Sequence, residues 1–299
     1  MSETMKKAIK NAIKNVYHAV GLIEVRNCNP NGDPDSNNAP RLDAETGIGL
    51  ISNVCIKHKS RNYVDVVKKG APGYRIYIKA DTYLNDSDRE AYDYLGIKES
   101  ELKKAKKDNS IDVAVRDFMC ENWYDIRTFG AVMTTHTHNN LNCGQVRGPV
   151  QVTFARSIDP IIPQDIALTR VCATSEKDPK GLGPHTWIVP YALYRFEVYV
   201  SAKDAEITGF SEEDLALFWE SLMNMFEFDH AMARGEINFR KLVIFKHESE
   251  YGNERAYKLF DLVKVEKKDG VDVARSYDDY NISVDIDNLP KGVTCEIRE

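Results

Sequence analysis

Cysteine is sparse and scattered. The six residues lie at positions 28, 55, 120, 143, 172 and 295, and no two are closer than 23 residues. Without a CxxC pair, neither a zinc ribbon nor a thioredoxin-like motif can be drawn. The opening MSETMKKAIKNAIKN lacks an uninterrupted apolar core and a small-residue cleavage site, so a secretory signal is not expected. Reduced thiols in a cytoplasmic protein follow as the simplest expectation. Long apolar runs are missing too: none approaches the roughly 18 residues of a membrane span. There is no GxxxxGK[ST], no GxGxxG (Gly47-Ile-Gly49 is too short) and no GxSxG elbow. Nothing here announces a nucleotide hydrolase, a dinucleotide enzyme or a serine hydrolase, and no cofactor is expected.

An excess of positive charge is also lacking. The 299 residues carry 40 lysines and arginines against 46 acids, a net charge of −6. The distribution is uneven. Residues 41–69 hold six bases and three acids, whereas residues 204–236 hold nine acids and one base. Residues 130–156 contain Arg147 and Arg156 and no acid. Local field matters more to a polyanion than the total, so an acidic protein can carry a basic groove. Charges on solvated helix faces also vary by chance. Hydrophobic residues at 42% and charged residues at 29% describe an ordinary globular chain, one or two domains long.

Ala8, Ile9, Ala12 and Ile13 suggest a short amphipathic lead-in. Tyr17–Arg26 reads as a buried strand and is followed by CNPNGDPDSNNAPR, dense in turn-forming residues. Leu50–Lys69 reads as a helix stopped by Gly70, Tyr74–Lys79 as a strand, and Asp86–Tyr94 and Ser110–Trp123 as helices. Gly130–Thr135, Val146–Ala155, Trp187–Ser201 and Lys241–Lys246 read as strands. Ser211–Arg234 is the clearest helix, with Leu215, Phe218, Leu222, Met225 and Phe226 as its apolar stripe and Ser211 with Asp214 as a capping box. A last helix falls near Glu254–Leu262. Reduced to long elements, the order is the α+β, ferredoxin-like βαββαβ pattern with two large insertions, a frequent RNA platform.

Four constellations could carry chemistry. Asp33, Asp35 and Asp43 cluster hard oxygen ligands as a metal-dependent nuclease would need. The same aspartates also suit turns whose backbone amides they cap. His136, His138 and Cys143 could hold a metal or simply lie in a polar loop, and since a structural zinc normally takes four ligands no metal site is assigned. Lys57 and Arg61 share one face of a helix with Ser52 and Asn53 in its first turn. Like charges at that spacing repel unless an anion sits between them, and a phosphate is such an anion. Arg147 opens a strand between Gly144 and Gly148, where a backbone can approach a ligand closely.

The strings NPNGDPD, PRLDAETGIGL, KHKSRNYV, GQVRGPVQVTFARSIDP, VPYALYR and LVIFKHES together resemble the backbone subunit of the type I-C CRISPR Cascade complex (the Cas7 family, Csd-type). The resemblance runs from about Val20 to Glu299. It implies an RRM-like palm over residues 16–299, preceded by an extension at 1–15. A fingers insertion would span about 40–128 and a thumb hairpin about 170–188. It implies a non-catalytic protein that polymerises head-to-tail along a CRISPR RNA and presents it for pairing with target DNA. The other implied partners are the guide-processing subunit, the large subunit and a recruited helicase-nuclease. Lys57 and Arg61 become the leading phosphate contacts, with Arg41, Ser52, Lys59, Gln145 and Arg147 behind them, and Leu182 and His185 would serve the thumb. The basic and acidic segments would suit subunits stacked in one direction. Relatives of the type III class cut RNA with a loop aspartate, which keeps Asp33, Asp35 and Asp43 in view. A generic RRM-like RNA binder is a third reading.

Overall fold

The computed structural model describes residues 11–97, 109–133, 143–169, 171–172, 175 and 183–299. The first strand, β1 (Tyr17–Cys28), is followed by the short pair β2 (Gly32–Asp33) and β3 (Ala39–Pro40), and then by β4 (Ile48–Ile51). Helix α1 (Asn53–Lys68) begins where the Ser52 hydroxyl accepts the Cys55 N–H at 3.2 Å. It ends where Lys69 turns to φ 50°. Next come α2 (Leu84–Tyr94), α3 (Asn109–Asn122), α4 (Tyr124–Phe129) and the hairpin β5 (Gly130–Met133) and β6 (Gly144–Arg147). Three short strands, β7 (Val150–Val152), β8 (Ala155–Pro160) and β9 (Gln164–Ala167), lead to the long β10 (His185–Val200). Helices α5 (Ala202–Thr208) and α6 (Glu212–Asn224) precede β11 (Ile237–His247). The chain closes with α7 (Ala256–Phe260), β12 (Val263–Lys267), β13 (Tyr280–Val284) and β14 (Val293–Arg298).

The main sheet runs in the order β14-β11-β1-β10-β8-β4, with β7 and β9 also pairing with β10. Its strands pair antiparallel. Strand β1 is buried on both faces, which explains why its sequence shows no apolar–polar alternation. On one face Ala19, Ile23 and Val25 meet Ile56 of α1 and Leu215, Phe218 and Leu222 of α6. On the other, Val20 packs with Leu259, Phe260 and Val263, and Leu22 with Ala274 and Tyr280. The sheet is therefore the middle of three layers. Taken as β1, α1, β8, β10, α6 and β11, the chain runs strand, helix, strand, strand, helix, strand. Among the described residues no helix is long and apolar enough to cross a membrane.

A second hydrophobic cluster lies between α1 and β7. Tyr77, Ala91, Val115, Met119, Trp123 and Val146 are among its members. Two buried ion pairs fasten it to the sheet–helix layers. Arg61 of α1 donates to Asp125 of α4 at 2.8 Å. Arg127 of α4 grips both carboxylate oxygens of Asp214 on α6, at 2.8 and 3.0 Å.

Several sequence expectations change here. Tyr74–Lys79 is not a strand: the N–H groups of Tyr77 and Ile78 donate to the Asp125 carboxylate instead of to a neighbouring strand. Val146–Ala155 is divided among β6, β7 and β8, because Gly148 and Pro149 interrupt it. The Leu50–Lys69 helix begins only at Asn53, its first residues belonging to β4. The Ser211–Arg234 helix ends at Asn224, although its Ser211–Asp214 capping box is present. Ala12 and Ile13 are not helical but buried in the core beside α6; residues 5–10 lie outside the described residues.

Removing one partner of a buried charge pair leaves the other uncompensated in low dielectric. Arg127→Leu is therefore expected to cost about 3–5 kcal/mol in chemical denaturation. A loss below about 1 kcal/mol would show that Asp214 does not depend on it.

Candidate nucleic-acid interface

The open sheet face that would make an RNA stacking platform is covered. Elements α7, β12 and β13 lie across it, and the Arg195 guanidinium ties them down by donating to the Phe260 and Val263 carbonyls at 2.8 and 2.7 Å. Bases cannot stack where Leu22, Tyr191 and Leu193 already meet Ala274 and Tyr280. A polyanion must use another surface, and α1 is the candidate.

Lys57 and Arg61 do lie side by side, with their cationic groups 5.3 and 5.0 Å from the centre of the Phe129 ring. Their roles differ. Arg61 is buried and its counter-charge is internal, the Asp125 carboxylate. The anion required beside it is thus part of the protein, and Arg61 holds structure rather than offering an exposed contact. Lys57 is half-buried and has no ion-pair partner among the described residues. Burial, with the Arg61 charge beside it, lowers its pKa to about 8.

Phe129 leads directly into Gly130, which pairs with Arg147 in the β5–β6 hairpin. The backbones cross closely here. A Cβ at Gly148 would collide with the Gly130 nitrogen and the Phe129 carbonyl carbon, and Gly130 itself sits at φ +78°. This crossing places the Arg147 backbone opposite Gly130, the residue that follows Phe129. The Arg147 side chain is 81% exposed, with one weak contact to Asp204 at 3.3 Å, and Gln145 is exposed on the same strand.

The remaining expected residues are dispersed. Arg41 faces Asp33 at 3.3 Å, and Asp33 also caps the Asp35 N–H. Asp43 accepts the Glu45 N–H at 3.1 Å and faces Arg156 at 3.2 Å; these contacts hold its pKa below the usual carboxylate value. Ser52 is the α1 cap. Lys59 is buried and paired with Asp229. His185 opens β10 and faces Asp165 at 3.0 Å. Leu182, His136 and His138 lie outside the described residues, and Cys143 is buried, which pushes its thiol pKa well up. Among the described residues no three of His, Cys, Asp and Glu gather around a point where a metal ion could sit.

The acidic 204–236 segment turns Asp214 and Asp229 inward, while Glu212, Glu213, Glu220, Glu227 and Glu236 stay exposed. Asp214 meets Arg127, Asp229 meets Lys59 and Arg234, and Glu213 and Glu220 accept from the Tyr74 and Tyr63 hydroxyls. Sequence reasoning missed Phe129, the ring that organises the basic pair. The Phe-Gly step ahead of a short strand was its only local sign.

These features define a mixed α/β protein with a basic helix flank beside a glycine crossing. The family profile of CRISPR-associated protein Cas7 matches residues 15–285, and the chain belongs to that family. A CRISPR-associated protein Cas7 of Haloferax volcanii is 25% identical over 251 residues, covering 78% of this chain and 70% of that one. Among solved structures, a chain of a CRISPR RNA-guided surveillance complex in a pre-nicking state is 13% identical. It aligns with a TM-score of 0.48 over 77% of this chain and 78% of its own. A chain of a type III-B Cmr-beta complex bound to cognate target RNA is 14% identical, with a TM-score of 0.39 over 81% and 64%.

The Lys57 pKa has a sign that can be checked. In the unfolded chain a lysine keeps its proton up to about 10.5, whereas here the proton leaves near 8. The charged group thus opposes folding below pH 8, and that cost vanishes as pH rises toward 10.5. RNA binding should move the other way. Affinity is expected to fall roughly tenfold between pH 7 and pH 9.5 as the charge on Lys57 is lost, and Lys57→Arg should abolish the fall. A pH-independent affinity in the unsubstituted protein would remove Lys57 from the interface.

Proposed function

We propose that this Cas7-family chain is the non-catalytic backbone subunit of a type I-C Cascade complex. It holds a CRISPR RNA and leaves the bases free to pair with target DNA. The carrying observation is Lys57: a half-buried cation with no ion-pair partner among the described residues, set on the Phe129 ring, whose backbone leads into the strand pair that carries the exposed Arg147. A cation so placed costs stability in the free protein, and a phosphate relieves that cost.

In this reading the sheet with α1 and α6 is an RRM-like palm. The cluster fastened by Asp125 and Asp214 belongs to the fingers, in the part of the expected 40–128 insertion that follows α1. Residues 170–188 form the thumb, with Leu182 and His185 at its tip and base. Copies stack head-to-tail along the guide. The guide-processing subunit, the large subunit and a helicase-nuclease complete the assembly, which acts in the cytoplasm. Asp33 and Asp43 each cap a turn and face an arginine, an arrangement that supports a scaffold over a metal-dependent ribonuclease.

Each phosphate contact contributes about 0.7 to the slope of log affinity against log salt for a single strand. Replacing both Lys57 and Arg147 by alanine is expected to lower the slope by about 1.4. Arg41→Ala, whose side chain is 35% exposed against 81% for Arg147, should change it less. An unchanged slope in the double variant would contradict the placement.

A further inference from the structure

The step from β7 to β8 breaks the ladder that both strands make with β10. Val152 pairs with Val198, and Arg156 pairs with Arg195. Thr153, Phe154 and Ala155 therefore stand opposite only Phe196 and Glu197. One residue is extra, and the chain forms a β-bulge there. The bulge is pinned. The Thr153 N–H donates to the Glu197 carbonyl at 2.9 Å, and the Thr153 hydroxyl accepts the Glu197 N–H at 2.9 Å in place of a backbone carbonyl. On either side, Val152 and Ala155 both join the core shared with α1 and α6.

Phe154 is 50% exposed, and no other aromatic ring packs on it among the described residues. Any side chain at this position would let Val152 and Ala155 reach the core, so the bulge does not account for the phenyl ring. Its setting does. Ala155 pairs with Ile51 of β4, and the next residue, Ser52, caps α1. The bulge thus adjoins the first turn of α1. Lys57 follows Ser52 by about 7.5 Å of helix axis. The exposed Val54 lies on the same flank, one turn before Lys57. No acid occurs from residue 130 to residue 156, so nothing in this stretch repels a polyanion.

A rigidly mounted apolar ring and a cation without an ion-pair partner on the adjoining helix suit a nucleic-acid strand, which offers a flat base to one and a phosphate to the other. Every base has a π-face, and stacking on an aromatic side chain needs no hydrogen-bond match. An aliphatic side chain of a protein partner would cover the ring and leave Lys57 unanswered. We propose that Phe154 is a base-stacking residue, its ring lying against a guide nucleobase while Lys57 faces a phosphate of the same strand. The proposal rests on the RNA-holding reading and adds to it a contact with a base where the other contacts are with phosphates.

The test uses the full chain with single-stranded RNA and with a strand of equal length built from abasic riboses. Phe154→Leu keeps an apolar side chain and removes the π-face. In fluorescence anisotropy it is expected to weaken RNA binding roughly tenfold while leaving the salt slope unchanged, since no phosphate contact is lost. On the abasic strand it should bind as the unsubstituted protein does. Phe154→Trp keeps the π-face and serves where the leucine variant does not fold: its added indole should be quenched by RNA and not by the abasic strand. Unchanged RNA affinity in Phe154→Leu, an equal loss on both strands, or no quenching in Phe154→Trp would overturn the stacking role while leaving the Lys57 and Arg147 placement intact. Copies that associate without RNA and separate in Phe154→Leu, read by sedimentation, would overturn it as well, because a second copy would then cover the ring. Absence of binding to every strand by the unsubstituted protein would remove both readings together.

Discussion

One buried carboxylate, that of Asp125, organises much of the molecule. It accepts the Arg61 guanidinium from α1 and the N–H groups of Tyr77 and Ile78 from the segment that follows α1. A lone carboxylate in that position would be expensive, and three donors make it tolerable. The consequence reaches the surface. With Arg61 satisfied internally, its neighbour Lys57 is left without an ion-pair partner among the described residues. The Phe129 ring beneath both fixes where that cation points. The Arg127–Asp214 pair repeats the arrangement two residues further along α4 and ties the α6 cap to the same junction.

Local pattern made much of the secondary structure readable. The buried run Tyr17–Arg26, the α2 and α3 helices and the Ser211 cap are written in adjacent residues, and each formed close to where it was expected. What local pattern could not show were partners far apart in sequence. Residues 74–79 alternate like a strand, but their amides answer to Asp125, some 50 residues away. Arg61 looks like a surface cation until that same aspartate is placed beside it. The covering of the sheet by α7, β12 and β13 was equally hidden, because polar strands near a C-terminus carry no sign of which face they will occupy. The basic helix and the Gly148 strand start were legible as candidates, whereas the Phe129 ring beneath Lys57 was not: it comes from a helix that starts about 60 residues after α1 ends.

Charge tells a similar story. The chain is acidic overall, and the 204–236 stretch is strongly so. Several of its carboxylates are engaged with arginine, lysine or tyrosine of the same molecule. The helix α1 then has two working flanks. One carries Lys57 toward the glycine crossing and Arg147. The other carries His58 and Lys59 toward the asparagine turn.

The central claim is that the guide lies along α1 and β6 and not on the sheet. Ultraviolet crosslinking tests it most directly, applied to the complex purified after co-expression with a CRISPR array and its neighbouring subunits. Peptides bearing crosslinked RNA are then mapped by mass spectrometry. The account expects crosslinks to concentrate in residues 52–62 and 144–148. Crosslinks concentrated instead in residues 256–284, over the covered face of the sheet, would contradict it.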